Sequence, residues 1–444
     1  MAVVEKQGQT IKLLEKRIVE LEAEIYQLKN HKNSQNSSIA PSKDENRPLK
    51  NQSLKVKTGK KSGGQQGHKG KTLQMSATPQ KVITHSPQFC TDCGSDLALA
   101  EAQLIGKRQI VDLPPIQPVF IEHQCFSKTC LCGKTTSANF PSHLRSPIQY
   151  GPNVESLIAY LSVRQYLPYQ RMTEFLEDVC GLKISQGSIC NLLDQFKNKA
   201  SIVAHHIKDQ LREAAAVGTD ETGAKVNGKK HWIWTWQNKH YTHIALSANR
   251  GINTIKTIFP EGLPKAVLTH DRWAAHFHCQ SKTHQICIAH LLRELNYLDE
   301  LYDNIWSKQM KSLLMEGILL KKNLAGKDYS SPVEERNLLE SKLANLLSIP
   351  IDEKHKQLLT FQKQIAKLQD YIFPFLYYDL VQPDNNASER AIRNVKVKQK
   401  ISGQFKSLNG AYCFATIRSV IDTFAKQNLN ILNSLKLIAQ FRPE

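Results

Sequence analysis

The chain has 444 residues, 41% of them hydrophobic and 7% aromatic. That is enough for about three domains with real cores, which excludes both a small disulfide-stapled module and a disordered chain. Its 59 Lys and Arg outnumber 40 Asp and Glu, a net charge of +19; a basic excess of this size draws in phosphate polyanions, so nucleic acid is the first expected partner, ahead of a merely soluble or ribosome-associated role. No apolar run reaches the roughly 18 to 20 residues of a bilayer span, and residues 1–16 offer no signal-peptide core. A cytoplasmic protein with no membrane partner is expected.

Ile11, Leu14, Ile18, Leu21, Ile25 and Leu28 recur in steps of three and four. Ile at one seam position and Leu at the other favours a parallel two-stranded coiled coil over residues 1–32, and with it a homo-oligomer. The alternative is one amphipathic helix docked on its own chain. The apolar rhythm stops over 33–80, where Asn, Ser, Gly, Pro and Lys dominate, and residues 41–80 carry nine Lys or Arg against two Asp or Glu. This stretch reads as a basic flexible linker whose Lys60, Lys61 and Lys69 reach a phosphate backbone, or as a plain solvated tether.

Residues 81–146 read as a zinc-ribbon-like module with short strands at 81–85 and 119–124. Cys90-Thr-Asp-Cys93-Gly94 has the spacing of a knuckle that offers two thiolates to structural Zn²⁺. Cys130 and Cys132 are one residue closer together, a loop that is harder to close, and Cys125 is a substitute ligand; a ribbon that has lost its metal is the alternative. Cys180, Cys190, Cys279, Cys287 and Cys413 read as small buried hydrophobes. Over 147–202 the pattern is helical, with Gly181 as a stop, Ser185 as the next N-cap, Ile189, Leu192, Leu193 and Phe196 facing in, and Gln186 and Asn191 facing out. Helix, glycine turn and capped helix suggest a helix-turn-helix-like DNA reader, a pattern that many helical bundles share.

Residues 214–218 read as a buried strand ending at the acidic pair Asp220-Glu221, and 230–237 and 241–247 as two further strands of a meander. A second apolar strand, 266–271, delivers Asp271, with Trp273 close behind. A short strand at 285–288 then leads into a helix through His290. Residues 304–371 are helical throughout. The run Asp384-Asn385-Asn386 starts another helix, with Glu389 in its first turns and Arg390, Arg393, Lys396 and Lys400 as its basic side. Three carboxylates on separate elements, Asp220, Asp271 and Glu389, are what a two-metal phosphoryl-transfer site needs: hard oxygen ligands for two Mg²⁺ or Mn²⁺ ions, with cations nearby to hold phosphates.

The words around those residues carry a resemblance. Gly218-Thr-Asp-Glu-Thr-Gly223, His270-Asp-Arg-Trp273, Cys287-Ile-Ala-His290 and Asp384-Asn-Asn-Ala-Ser-Glu-Arg390 occur in the order seen in transposases of the insertion sequence 66 family, which the chain resembles. Gly67-His-Lys-Gly70, Gln149-Tyr-Gly-Pro152 and Leu167-Pro-Tyr-Gln-Arg171 extend the match over most of its length. The resemblance implies a multidomain α+β protein with an RNase H-like (retroviral integrase-like) α/β core over 203–303 and 376–412. A helical insertion over 304–375 and a C-terminal helical segment over 413–444 complete it. It implies a DDE triad on Asp220, Asp271 and Glu389 that cleaves and joins DNA at element ends, with His290 either in support near the scissile phosphate or a hydrogen-bonded structural histidine, and Glu221 as a neighbour rather than a ligand. It also implies small accessory proteins of the same element. The family's second Cys-x-x-Cys is one residue short here, at Cys130 and Cys132. The rival functions are a non-catalytic DNA-binding regulator or inactive element-derived protein, and a plain metal-dependent nuclease.

Overall fold

The structure is a computed structural model and describes residues 2–29, 67, 70, 72–330 and 332–441. It begins with α1 (Ala2–Lys29), along which Ile11, Leu14, Ile18, Leu21 and Ile25 are exposed. Tyr26 meets Tyr297 edge-on and donates to Glu300, and Glu20 pairs with Lys356 of the same chain. What the structure establishes here is one amphipathic helix with its apolar seam toward solvent, without distinguishing a coiled coil.

The chain divides into two units, Pro48–Gln117, and Met1–Arg47 together with Pro118–Glu444. The strands expected at 81–85 and 119–124 are absent; both stretches are exposed. Val82, Ile83, Val119, Phe120 and Ile121 have strand propensity, but propensity without a neighbouring strand does not hold a ladder. Pairing in the second stretch's unit starts instead with a hairpin, β1 (Ser127–Thr129) and β2 (Thr135–Ser137). It leads to α2 (Pro152–Ala159), α3 (Tyr169–Cys180) and α4 (Gln186–Arg212). Gly181, at φ +61°, ends α3 in the left-handed region, and Ser185 Oγ caps α4 by accepting from Ser188 N at 3.0 Å. Ile189, Leu192, Leu193 and Phe196 are buried, and Gln186 and Asn191 exposed. These helices share one core with the sheet that follows, so a helix-turn-helix is not distinguished from a helical bundle.

Strands β3 (Ala216–Val226), β4 (Lys229–Gln237) and β5 (Thr242–Ser247) form an antiparallel meander. Asn227 and Gly228, both at positive φ, close its first turn, as a two-residue hairpin requires. After α5 (Ile252–Ile258), β6 (Leu263–His270) and β7 (Ser281–Ile286) add in parallel, giving the order β5-β4-β3-β6-β7. One expectation is corrected: β3 does not end at the acidic pair Asp220-Glu221 but runs on to Val226, because each residue from Gly218 onward pairs with β4. Asp220 therefore sits in mid-strand.

Helices α6 (Ile288–Tyr302), α7 (Ile305–Asn323), α8 (Val333–Ser348) and α9 (Lys356–Ala366) follow, then α10 (Asn386–Ser402), α11 (Leu408–Lys426) and α12 (Ile431–Gln440). The alternation of side chains along a strand splits neighbours between two cores. Val217 and Leu268 pack with α4, α11 and α12, whereas Ala216 and Val267 pack toward α6, α7 and α9. The outer edge of β5 is sealed by α11, where Ser419 and Thr423 hydroxyls accept from Ile244 N and Thr242 N, which removes a free edge. The result is a mixed α+β domain with a central sheet between helices, consistent with an RNase H-like core. No helix among the described residues is long and apolar enough to cross a membrane. Of the five cysteines expected to be buried, Cys180, Cys279, Cys287 and Cys413 are, and Cys190 is exposed.

Candidate active site

Parallel pairing of β3 with β6 runs through Gly218 opposite Thr269. Carried two residues further along both chains, that register sets Asp220 beside Asp271, just past the end of β6. Glu389 arrives from the first turn of α10, whose start is stitched to both neighbours. Asn385 Nδ2 donates to Thr219 O at 2.7 Å, Asn385 N to Cys287 Sγ at 3.2 Å, and Ile288 N to Pro383 O at 2.8 Å. Ser388 Oγ donates to Asn385 Oδ1 at 2.6 Å and accepts from Gln237 Nε2 at 3.2 Å. Asn385, Ser388 and Gln237 are all buried. The helix comes this close because residue 218 has no side chain: a Cβ there would stand 2.7 Å from Asn385 Oδ1 and Gln237 Nε2 and 2.8 Å from Ser388 Oγ.

The three carboxylates share one electrostatic neighbourhood. Burial first, then the charges of Asp271 and Glu221, and then that of Glu389, push the Asp220 carboxyl well above the usual aspartate range. Glu389 Oε1 is buried with no hydrogen-bond partner; the Arg293 guanidinium Nη2 lies 3.6 Å from it and the His290 imidazole Nε2 3.9 Å. Burial and Arg293 hold His290 below its ordinary value, against the pull of Glu389 and Asp271. Among the described residues no three His, Cys, Asp or Glu side chains converge tightly enough to cage a single ion. Three hard oxygen donors, one with an orphaned buried oxygen, are the chemistry that would suit Mg²⁺ or Mn²⁺ in the mode where each ion takes one or two carboxylates and substrate phosphates supply the rest.

Asp220 and Glu221 are neighbours in sequence and lie on opposite faces of β3. The fully buried Glu221 side chain accepts from Arg250 Nε at 2.6 Å and bonds His276 Nε2 at 2.9 Å, and His276 Nε2 is 4.0 Å from Asp271 Oδ1. Sequence reasoning missed this brace and the Asn385–Ser388–Gln237 network. Neither Arg250 nor His276 falls in a motif, and the contacts exist only once β3, β4 and the turn after β6 are assembled.

On α10, Arg390, Arg393 and Lys400 are exposed, whereas Lys396 is half-buried and donates to Gly223 O at 3.0 Å. At the start of α4, Gln186 donates to Gln170 Oε1 at 2.7 Å and Asn191 is free to solvent. Lys60, Lys61 and Lys69 lie outside the described residues.

Each cysteine pair forms its own turn. At the first, Cys90 N donates to Ser95 O and Gly94 N to Cys90 O, with Gly94 at φ +73°. Hydrogen bonds from the Ser95 side chain, then from its backbone and from Cys90, bring the Cys93 thiol down to about 7. At the second, Cys130 N donates to Lys134 O and Gly133 N to Cys130 O, with Gly133 at φ +83°; the Cys132 backbone and thiol lower Cys130. The one-residue spacing, expected to resist closure, closes because Gly133 takes the left-handed conformation. Cys125 is half-buried. A thiol brought down to about 7, as at Cys93, is the donor chemistry that Zn²⁺ takes.

The Transposase IS66 family matches residues 147–412, more than half of the chain. The chain belongs to this family. IS66 membership makes it a DDE transposase, an enzyme class that cleaves DNA and transfers strands. The zinc-finger binding domain of transposase IS66 matches residues 87–133, and a family of unknown function matches residues 4–74. A search among curated proteins returned no match.

Proposed function

We propose that this IS66 transposase works through Asp220, Asp271 and Glu389 as one two-metal site in an RNase H-like core, cutting at the ends of an insertion sequence and joining the freed 3′-hydroxyl to target DNA. The observation that carries the reading is the β3–β6 register that runs toward Asp220 and Asp271 together with the Asn385–Thr219 bond that holds the start of α10 against β3, so that three side chains from β3, the end of β6 and α10 act on one space. Two divalent cations, when bound, supply activation of the attacking oxygen and neutralisation of the leaving one. The three carboxylates would hold them. His290 and Arg293 flank Glu389 and would steady its carboxylate. Arg390, Arg393 and Lys400 line the approach and hold the DNA backbone, with Gln186, Asn191 and the basic linker gripping the flanking duplex.

Incubation of the purified chain with labelled element ends, a target plasmid and Mg²⁺ tests the reading. Joined products are expected. Cleavage without joining would make it a nuclease, and a shifted band alone would make it a regulator.

Structural Zn²⁺ is proposed to bind at the thiolate pair of Cys90 and Cys93, as the zinc-finger match over 87–133 suggests; Cys130 and Cys132, with Cys125 in reserve, offer the same donor chemistry in the other unit. Cys93→Ser should lower the zinc content of the pure protein by at least half, measured by atomic emission, while leaving the α+β domain's melting unchanged. Equal zinc in both proteins contradicts the assignment. The α1 seam is proposed to pair two chains in a parallel coiled coil, and the enzyme to act in the cytoplasm, with accessory proteins of its element as partners.

A further inference from the structure

Beside the acidic cluster stands an aromatic stack that the proposed chemistry does not use. Trp273 is two residues past Asp271 and is 39% exposed, which is unusual for so large a side chain beside a reacting centre. Its position is fixed at several atoms. Trp273 N donates to Asp271 Oδ1 at 3.1 Å, and the indole Nε1 donates to Arg250 O at 3.1 Å. The Arg250 guanidinium lies 3.9 Å from the Trp273 ring centroid and 4.9 Å from that of Trp232. Arg250 is itself held by the buried Glu221, which also binds His276, and His276 N donates to Trp273 O at 3.0 Å.

An exposed indole kept rigid by a cation on its face, with its one donor already satisfied, has only stacking left to offer. Cation–π contact accounts for the rigid side of the ring. A ligand for the exposed side has to be flat and aromatic and has to lie within reach of a carboxylate that handles phosphate. An unpaired nucleobase meets both conditions: bases inside a duplex hide their faces, while a base leaving the stack at a strand end needs a replacement surface.

We propose that Trp273, backed by Arg250, is a stacking platform for one unpaired base next to the phosphate that Asp271 serves. Recognition is by ring face alone, so any of the four bases suffices. This rests on the reading of Asp271 as part of the catalytic site, and the two are tested separately.

The test uses the full-length chain and a duplex whose one strand continues as a short single-stranded extension, either intact or with one abasic site moved along it. Affinity is read by fluorescence anisotropy before Mg²⁺ is added. At one position of the extension the intact strand should bind about 10-fold tighter than the abasic one, with all four bases equivalent within about threefold. Trp273→Phe should keep most of that difference. Trp273→Ala should bind both strands equally, at the level of the abasic one, with a melting curve like that of the parent. The proposal is overturned if the parent chain shows no position at which the base matters, or if Trp273→Ala still distinguishes base from abasic site. Strand transfer is measured on the same preparations after Mg²⁺. Loss of joining with the base effect intact removes the catalytic reading and leaves the platform; joining without a base effect does the reverse.

Discussion

Asp220→Asn is expected to stop strand transfer and, in the same protein, to make the fold more stable. The two effects share one cause. In the absence of metal the Asp220 carboxylate is desolvated and faces the charges of Asp271, Glu221 and Glu389. Its folded pKa is therefore raised, and the folded state binds this proton more tightly than the unfolded chain does. The favourable contribution is complete below the ordinary aspartate range and is lost as pH rises through the folded value. At neutral pH the ionised group is a liability that asparagine removes while keeping the shape. The same substitution deletes a hard anionic oxygen from the metal site, and loss of that charge should cost about a thousandfold or more in joining rate. The measurements are a melting curve without divalent cation at neutral pH, where the variant should melt higher, and joined product under Mg²⁺, where it should give none. Binding to element ends should be retained. A variant that joins at the parent rate takes Asp220 out of the site; one that melts lower takes away the repulsion argued here.

Gly218→Ala should disable the enzyme with all three carboxylates intact. Gly218 is not in the left-handed region, so backbone strain plays no part and the effect is steric. The added Cβ would press on Asn385, Ser388 and Gln237. These three cannot swing away cheaply, because they are buried, bonded to each other, and tied through Asn385 to Thr219 O. The start of α10 must move, and Glu389 moves with it. Overpacking of this kind costs about 1–3 kcal/mol of stability, and a shift of about 1 Å at a reacting group costs about a hundredfold in rate. Denaturant unfolding and the joining assay read the two quantities. Unchanged values in both would mean that the α10 contact does not set the position of Glu389.

Much of the domain is legible before any coordinates. The meander is legible in the aromatic and β-branched runs at 230–237 and 241–247, and α4 in Ser185 and its inward apolar stripe. Errors arise where local pattern and tertiary partner disagree. The Thr-Asp-Glu-Thr-Gly run after Gly218 reads as a strand end by composition, yet β4 offers it a partner along its whole length. Residues 81–85 and 119–124 read as strands and have no partner. The tight turn at Cys130 looked closed to a knuckle until Gly133 took positive φ. For the site, motif words point to the three acidic residues, but not to the joints that hold them. Asn385 reaches Thr219 across 166 residues and Gln237 reaches Ser388 across 151, and no local periodicity encodes a hydrogen bond of that span.

The most direct measurement is the location of bound metal: crystals of the full chain with a cleaved DNA end, grown with Mn²⁺ and mapped by anomalous scattering. The account predicts two peaks about 3.5–4 Å apart, touched between them by carboxylate oxygens of Asp220, Asp271 and Glu389. Peaks that leave any one of the three without an ion, or lie away from the space between β3, the end of β6 and the start of α10, would contradict it.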